Sequence, residues 1–190
     1  MRKLVYYVAS TLDGFIAGPD GSFDFFPIEA DLSAHVNNLL PEVVPTVHRS
    51  ALGIDAPNGR FDAVLMGRGS YEPALSHGIT SPYAHLTQYV FSRTLPPAAE
   101  PEVEIVSADP LEFVRELKRR DGRDIWLCGG GQLVGQLLPE VDELMIKLYP
   151  LVIGSGIPLA DRGFDPHRYT LVDARPFDSG AVLLHYTRPA

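Results

Sequence analysis

The sequence has only one cysteine in 190 residues, Cys128. A single thiol closes no internal disulfide, so the core must hold by packing, and a reducing, cytoplasmic setting is expected. Cys128 ends the apolar run Ile125-Trp126-Leu127-Cys128 with no activating base beside it. It therefore reads as a buried structural thiol rather than a nucleophile. Long apolar runs are also missing: none approaches the ~20 residues that a membrane helix needs. The start, Met1-Arg2-Lys3 followed by an apolar stretch over 4–9, is interrupted by Ser10, Thr11 and Asp13. It predicts an N-terminal strand rather than a signal peptide. Basic excess is lacking too, because the net charge is −8 and no cationic stripe stands out. That balance excludes nucleic acid and an anionic membrane as expected partners, although local cationic spots remain free to bind a small anion. The histidines, at 35, 48, 77, 85, 167 and 185, show no ligand spacing, and no metal site is expected. With no repeat, low-complexity tract or linker, the chain reads as one domain spanning 1–190.

What is present is ordinary globular material: 45% apolar and 21% charged residues, enough to build a core without staples. Residues 4–9 are a continuous apolar run rich in β-formers, as in a central strand buried on both faces. Turn chemistry follows at Asp13-Gly14 and Pro19-Asp20-Gly21. A partly helical region over 31–52 is broken by Pro41 and Pro45. Strands are predicted at 61–66, 88–91 and 102–106, with a proline-rich surface loop at 95–101. The clearest helix starts at Asp109: an N-cap, then Pro110 in the first helical position, then Glu112 in a capping-box-like pattern. Lys118, Arg119 and Arg120 complement its dipole, and Asp121-Gly122 ends it. A strand at 125–128, a glycine turn, a helix over 132–138 and late strands at 144–151 and 181–187 complete the reading. Alternation through the middle and strands at the end predict an α/β fold: a mostly parallel sheet, helices on both faces, antiparallel strands added last.

Three strands run into turns able to bind an anion. Gly129-Gly130-Gly131 follows a buried strand and opens a helix, where backbone N–H groups lie open to a phosphate. The spacing is not G-x-G-x-x-G, and a tight turn is an equal reading of the glycines alone. Strand 61–66 enters Gly67-Arg68-Gly69-Ser70, in which Ser70 is either a ligand contact or an N-cap, and Arg68 either a ligand contact or a solvated charge. Ser92-Arg93-Thr94 ends the strand at 88–91 and suits either a phosphate monoester or an ordinary loop. Repetition is the signal, because ligands of open α/β sheets bind outside the carboxyl ends of strands.

Read in order, Ser10-Thr11-Leu12-Asp13-Gly14-Phe15-Ile16-Ala17, Met66-Gly67-Arg68-Gly69-Ser70-Tyr71-Glu72, Ser92-Arg93-Thr94-Leu95 and Gly129-Gly130-Gly131-Gln132-Leu133 resemble the dihydrofolate reductase superfamily. With the stretch Tyr149 to Leu159, the resemblance is to the branch containing the reductase domain of the bifunctional riboflavin-biosynthesis deaminase-reductase. It implies a dihydrofolate reductase-like sheet of about eight strands with NADPH across the strand ends, and a homodimer. Arg68, Ser92 and Arg93, with Thr94 completing that motif, would meet the 2′-phosphate; Ser70 would meet the pyrophosphate. Gly67 shapes that turn, and Gly129, Gly130, Gly131, Gln132 and Leu133 would complete the phosphate cradle. Ala9, Ile16 and Ala17 would border the nicotinamide, with Asp13-Gly14 shaping the loop over it. Two departures stand out: Gly69 where a larger residue is common, and a longer segment from Asp31 to Gly59 that would line the substrate pocket.

The resemblance implies an NADPH-dependent oxidoreductase that transfers hydride to a C=N or C=O of a small heterocyclic or sugar-like substrate. Asp31 is the candidate acid, with a helix N-cap as its other reading, and Asp24 stands in reserve. The alternatives are 5-amino-6-(5-phosphoribosylamino)uracil reductase activity, as in riboflavin biosynthesis, and a nucleotide-binding protein without turnover. Deaminase activity is not expected, since the H-x-E and P-C-x-x-C signature is absent.

Overall fold

The computed structural model describes residues 1–189. Ten strands alternate with five helices: β1 (Leu4–Ser10), β2 (Phe15–Ala17), α1 (Ala30–Leu39), α2 (Thr46–Arg49), β3 (Phe61–Gly67), α3 (Arg68–Ser76), β4 (Thr87–Phe91), β5 (Val103–Val106), α4 (Pro110–Arg119), β6 (Asp124–Gly129), α5 (Gly131–Leu137), β7 (Glu143–Leu148), β8 (Ile157–Pro158), β9 (Thr170–Pro176) and β10 (Val182–Thr187). Eight strands form one sheet in the order β5-β4-β3-β6-β1-β7-β10-β9. Strands β5 through β7 pair in parallel; β10 is antiparallel to both β7 and β9. The mostly parallel sheet with a late antiparallel end is the architecture read from the sequence.

Strand alternation assigns the core to two layers. On β1, Val5 and Tyr7 face one way and join Leu32, Val36 and Leu40 of the α1 region, with Val64, Met66 and Trp126. Leu4 and Tyr6 face the other way and meet Val114 and Leu117 of α4 and Leu133, Val134 and Leu137 of α5. Because both faces are covered, the central strands carry unbroken apolar runs. The Asp109 carboxylate accepts the Glu112 N–H at 3.1 Å and caps α4. Lys118, expected to complement the α4 dipole, is buried and also donates to Asp142 at 2.8 Å, fastening α4 to β7.

The amino ends of the strands are locked by charge. Glu143 accepts from Lys3 at 2.7 Å, from Arg60, and from His185 at 2.7 Å; Arg60 also reaches Asp124, and Arg2 pairs with Asp62. Burial alone would raise the Glu143 carboxyl, but the hydrogen bonds from Lys3, Arg60 and His185 outweigh it and hold it down at about 2. These residues come from the starts of β1, β3, β6 and β7 and from β10, so the network closes one end of the sheet.

Two elements differ from the sequence reading. β9 has no apolar run, because it is an edge strand exposed at every position, with Asp173, Arg175 and Pro176 guarding the edge. β2 lies inside a stretch read as turn, and pairs with the two-residue β8 in a small separate sheet. Among the described residues, no helix is long and apolar enough to cross a membrane.

Candidate active site

A cleft of about 1960 Å³ opens at the carboxyl ends of β1, β3, β4, β6 and β7. It has a polar end and an aromatic end. At the polar end, three strand-to-turn junctions converge. The helix α3 begins at Arg68 with Gly67 as its cap, so Ser70 is not the N-cap. Its side chain sits in the cleft wall instead, opposite the glycine turn: a Cβ built on Gly130 would lie 3.7 Å from Ser70 Oγ. Ser92 Oγ accepts the N–H groups of Thr94 and Leu95 at 3.2 and 3.1 Å, which shapes the turn that carries Arg93 to the cleft. Arg68 is not a free solvated charge. It donates to Thr94 Oγ1 at 3.0 Å and pairs with Glu72 at 3.1 Å. Thr94 is not among the cleft-lining residues and holds Arg68 through this hydrogen bond.

The three consecutive glycines have three different causes. Gly129 has φ +133°, a conformation that side-chain-bearing residues rarely adopt. Gly131 lies where a Cβ would come within 2.4 Å of the Pro158 carbonyl oxygen, so the approach of β8 requires it. Gly130 has neither constraint, lines the cleft, and leaves its backbone open. Gly131, Gln132 and Leu133 join it in the lining, as do Gly67, Ala9, Ile16 and Ala17.

Asp31, the expected acid, does not line the cleft. Glu29 caps α1, and the Asp31 carboxylate accepts the N–H groups of Ser179 at 2.9 Å and Leu32 at 2.7 Å. The hydrogen bond from Ser179, the largest cause, and that from Leu32 hold its carboxyl below the usual range, the opposite of what a proton donor needs. Asp31 ties α1 to the β9–β10 turn and is absent from the cleft lining. Asp24, the reserve candidate, does reach the lining, and is exposed.

The aromatic end is built on the α1 face of the sheet from Tyr7, Phe26, Tyr83, Trp126, Tyr149, Cys128 and Lys147. Tyr83 meets Trp126 edge-on at 4.9 Å, and Phe26 packs on Tyr149 at 5.0 Å between centroids. Burial pushes the Cys128 thiol up to about 12, so it is protonated and not a nucleophile. Burial also lowers Lys147, whose Nζ lies 4.9 Å from the centre of the Tyr7 ring. The 31–59 segment, expected to line a substrate pocket, does reach the cleft through Leu32, Ser33, Val36, Val43 and Val44, but the aromatic end itself was not read from the sequence. Its one visible signal was a lysine set inside the apolar strand 144–151.

Comparison with known proteins fits this geometry. Residues 59–183 match the family described as the RibD C-terminal domain. The chain belongs to that family. Among its relatives, the Bacillus subtilis protein YwjB is 32% identical over 98% of both chains, and YyaP of the same organism is 28% identical over 97% of this chain and 94% of YyaP. Both carry the description "uncharacterized protein". The crystal structure of a putative riboflavin biosynthesis protein from Shewanella sp. PV-4 superposes with a TM-score of 0.70 at 22% identity, covering all of both chains. A diaminohydroxyphosphoribosylaminopyrimidine deaminase/5-amino-6-(5-phosphoribosylamino)uracil reductase from Thermotoga maritima superposes at 0.65 and 16% identity, over 99% of this chain and 57% of its own. At those identities the likeness shows the fold: a RibD-type, dihydrofolate reductase-like sheet. Among the described residues, no cluster of three or more His, Cys, Asp or Glu side chains could hold a metal ion.

Proposed function

We propose that this RibD C-terminal domain family member is an NADPH-dependent reductase of a C=N or C=O bond in a small heterocyclic or sugar-like substrate. The carrying observation is that two turns, one with Arg68 and Ser70 and one with Arg93 and Ser92, and the open backbone of Gly130 share one cleft with an aromatic compartment. The residues fit the cofactor: Arg68, Arg93 and Ser92 would hold the 2′-phosphate, and Ser70 with the backbone of Gly130, Gln132 and Leu133 the pyrophosphate. Ala9, Ile16 and Ala17 would then border the nicotinamide, which supplies hydride when bound. The protein orients the reacting pair and excludes water behind the aromatic wall. Asp13 steadies the adjoining loop, its carboxylate accepting Gly154 N–H at 2.7 Å and Ile153 N–H at 3.1 Å.

Family membership favours a second, narrower reading, reduction of a ribosylamino-pyrimidine. NADPH oxidation measured against dihydrofolate, the phosphoribosylaminouracil intermediate and a panel of small carbonyl compounds separates these readings. Loss of NADPH absorbance with one of them supports an enzyme and names the substrate class. Tight NADPH binding with no turnover of any would leave a nucleotide-binding protein, and no NADPH binding would refute both.

A further inference from the structure

Lys147 is a cation that the fold does not use. It lies on β7 beside Ala9 of β1 in the parallel ladder, and opposite Leu183 of β10 in the antiparallel one. The titratable groups facing it are Tyr7 from β1, Cys128 from β6, and Tyr149 just beyond its own strand. All three are held in their neutral forms by burial. Among the described residues, no carboxylate lies within 4 Å of Nζ and no hydrogen bond engages it, in contrast to Lys3 and Lys118, which both sit in ion pairs. The Tyr7 ring face is its one favourable contact. Lys147 is half-buried and lines the cleft with no protein group paired to its charge, so it is explained by what it meets in the cleft rather than by the fold.

Resting on the reductase reading above, we propose that Lys147 is the catalytic acid: its ammonium meets the acceptor heteroatom of a planar substrate held among Tyr7, Phe26, Trp126 and Tyr149. The register places it beside Ala9, the residue assigned to the nicotinamide border, so proton donor and hydride source share one side of the cleft. With NADPH bound as proposed, it would supply hydride to the carbon of the C=O or C=N bond, and the π pair of that bond would move onto oxygen or nitrogen. That atom takes a proton from Lys147 Nζ, leaving a neutral amine, which regains its proton from water through the open mouth. The ammonium also offsets the negative charge developing on the heteroatom. Burial, the largest influence on Lys147, lowers its titration, the direction that eases proton release.

The test uses the full chain, Lys147→Met and Lys147→Arg, with lumazine as a planar dicarbonyl probe. Lys3, Lys118 and Lys147 are the lysines of the sequence, so a ¹³Cε-lysine spectrum is readable, and Trp126, the single tryptophan, reports from the same compartment. Lys147 is expected to titrate below Lys3. Lumazine is expected to quench Trp126 and to move the Lys147 signal alone. Lys147→Met should bind it about 10- to 100-fold more weakly, the scale of one charge-assisted hydrogen bond, while NADP⁺ affinity stays unchanged. With any substrate that is turned over, Lys147→Met should lose about 10²- to 10⁴-fold in rate together with the alkaline limb of the pH profile. Lys147→Arg should restore KM but not kcat, because a guanidinium does not release its proton. An unmoved Lys147 signal with equal lumazine binding by wild type and Lys147→Met would overturn the proposal. So would full turnover by Lys147→Met. Failure of NADP⁺ to bind would instead strike the reductase reading, with the lumazine titration of the free protein still deciding on Lys147.

Discussion

The end of the cleft at β3, β4 and β6 is assembled mainly from backbone turns, whereas the end under α1 is assembled from side chains. The first needs glycines, small hydroxyls and arginines close together in sequence, such as Gly67 to Ser70 and Gly129 to Leu133. The second draws Tyr7, Phe26, Tyr83, Trp126, Lys147 and Tyr149 from separate places along the chain. A phosphate group has a fixed local geometry, which a single turn can grip. A substrate ring needs walls on several sides, which only tertiary packing brings together. The two ends should therefore fail differently when altered.

The largest contrast lies within one turn. Gly130→Val places a branched side chain on open backbone facing the ligand space. It is expected to abolish NADPH binding while circular dichroism and melting temperature stay near wild type. Gly131→Val drives a Cβ into the Pro158 carbonyl, so it is expected to lower the melting temperature strongly or prevent folding. Equal stability of the two variants would break the distinction between a glycine kept for a ligand and one kept for packing. Next in size is cofactor choice. Arg68→Ala removes a partly exposed guanidinium, so NADPH should weaken about 10-fold and NADH should change little. Parallel titrations by cofactor fluorescence check this, and equal losses would make Arg68 a structural residue through its bonds to Thr94 and Glu72.

Asp31→Asn sharpens the comparison from the other side. Its carboxylate joins α1 to the Ser179 turn, so stability should fall slightly while turnover and the pH–rate profile remain unchanged. A large loss of rate would return Asp31 to the site. The smallest effect on the cleft is expected from the far end of the sheet. The Glu143 carboxyl is held at about 2 against an ordinary 4.5, so its contribution to stability is present above pH 4.5 and fades as pH falls toward 2. Glu143→Gln should destabilise the fold at neutral pH and flatten that acid limb in thermal melts, with no change in NADPH affinity.

These contrasts also explain what sequence reading reached. The parallel core was legible because strands buried on both faces carry apolar runs, as in 63–66 and 125–128. α4 was legible because Asp109, Pro110 and the basic last turn are local signals. β9 was not, since an exposed edge strand has no burial pattern. The glycine- and arginine-bearing turns of the polar end were legible because each is encoded within a few residues. The Asp31 assignment followed chain order alone, and order does not say which way a carboxylate turns. Lys147 carried its signal in plain view, a charge inside an apolar strand, but its surroundings depended on β1 and β10 lying on either side of it.

The most direct test of the account is a crystal structure of the NADP⁺ complex. The account expects the 2′-phosphate between Arg68 and Arg93, the pyrophosphate against the Gly130 backbone, and the nicotinamide beside Ala9, within reach of a ring seated under Lys147. A nucleotide bound outside this cleft, or one lying with its nicotinamide at Arg93, would contradict it.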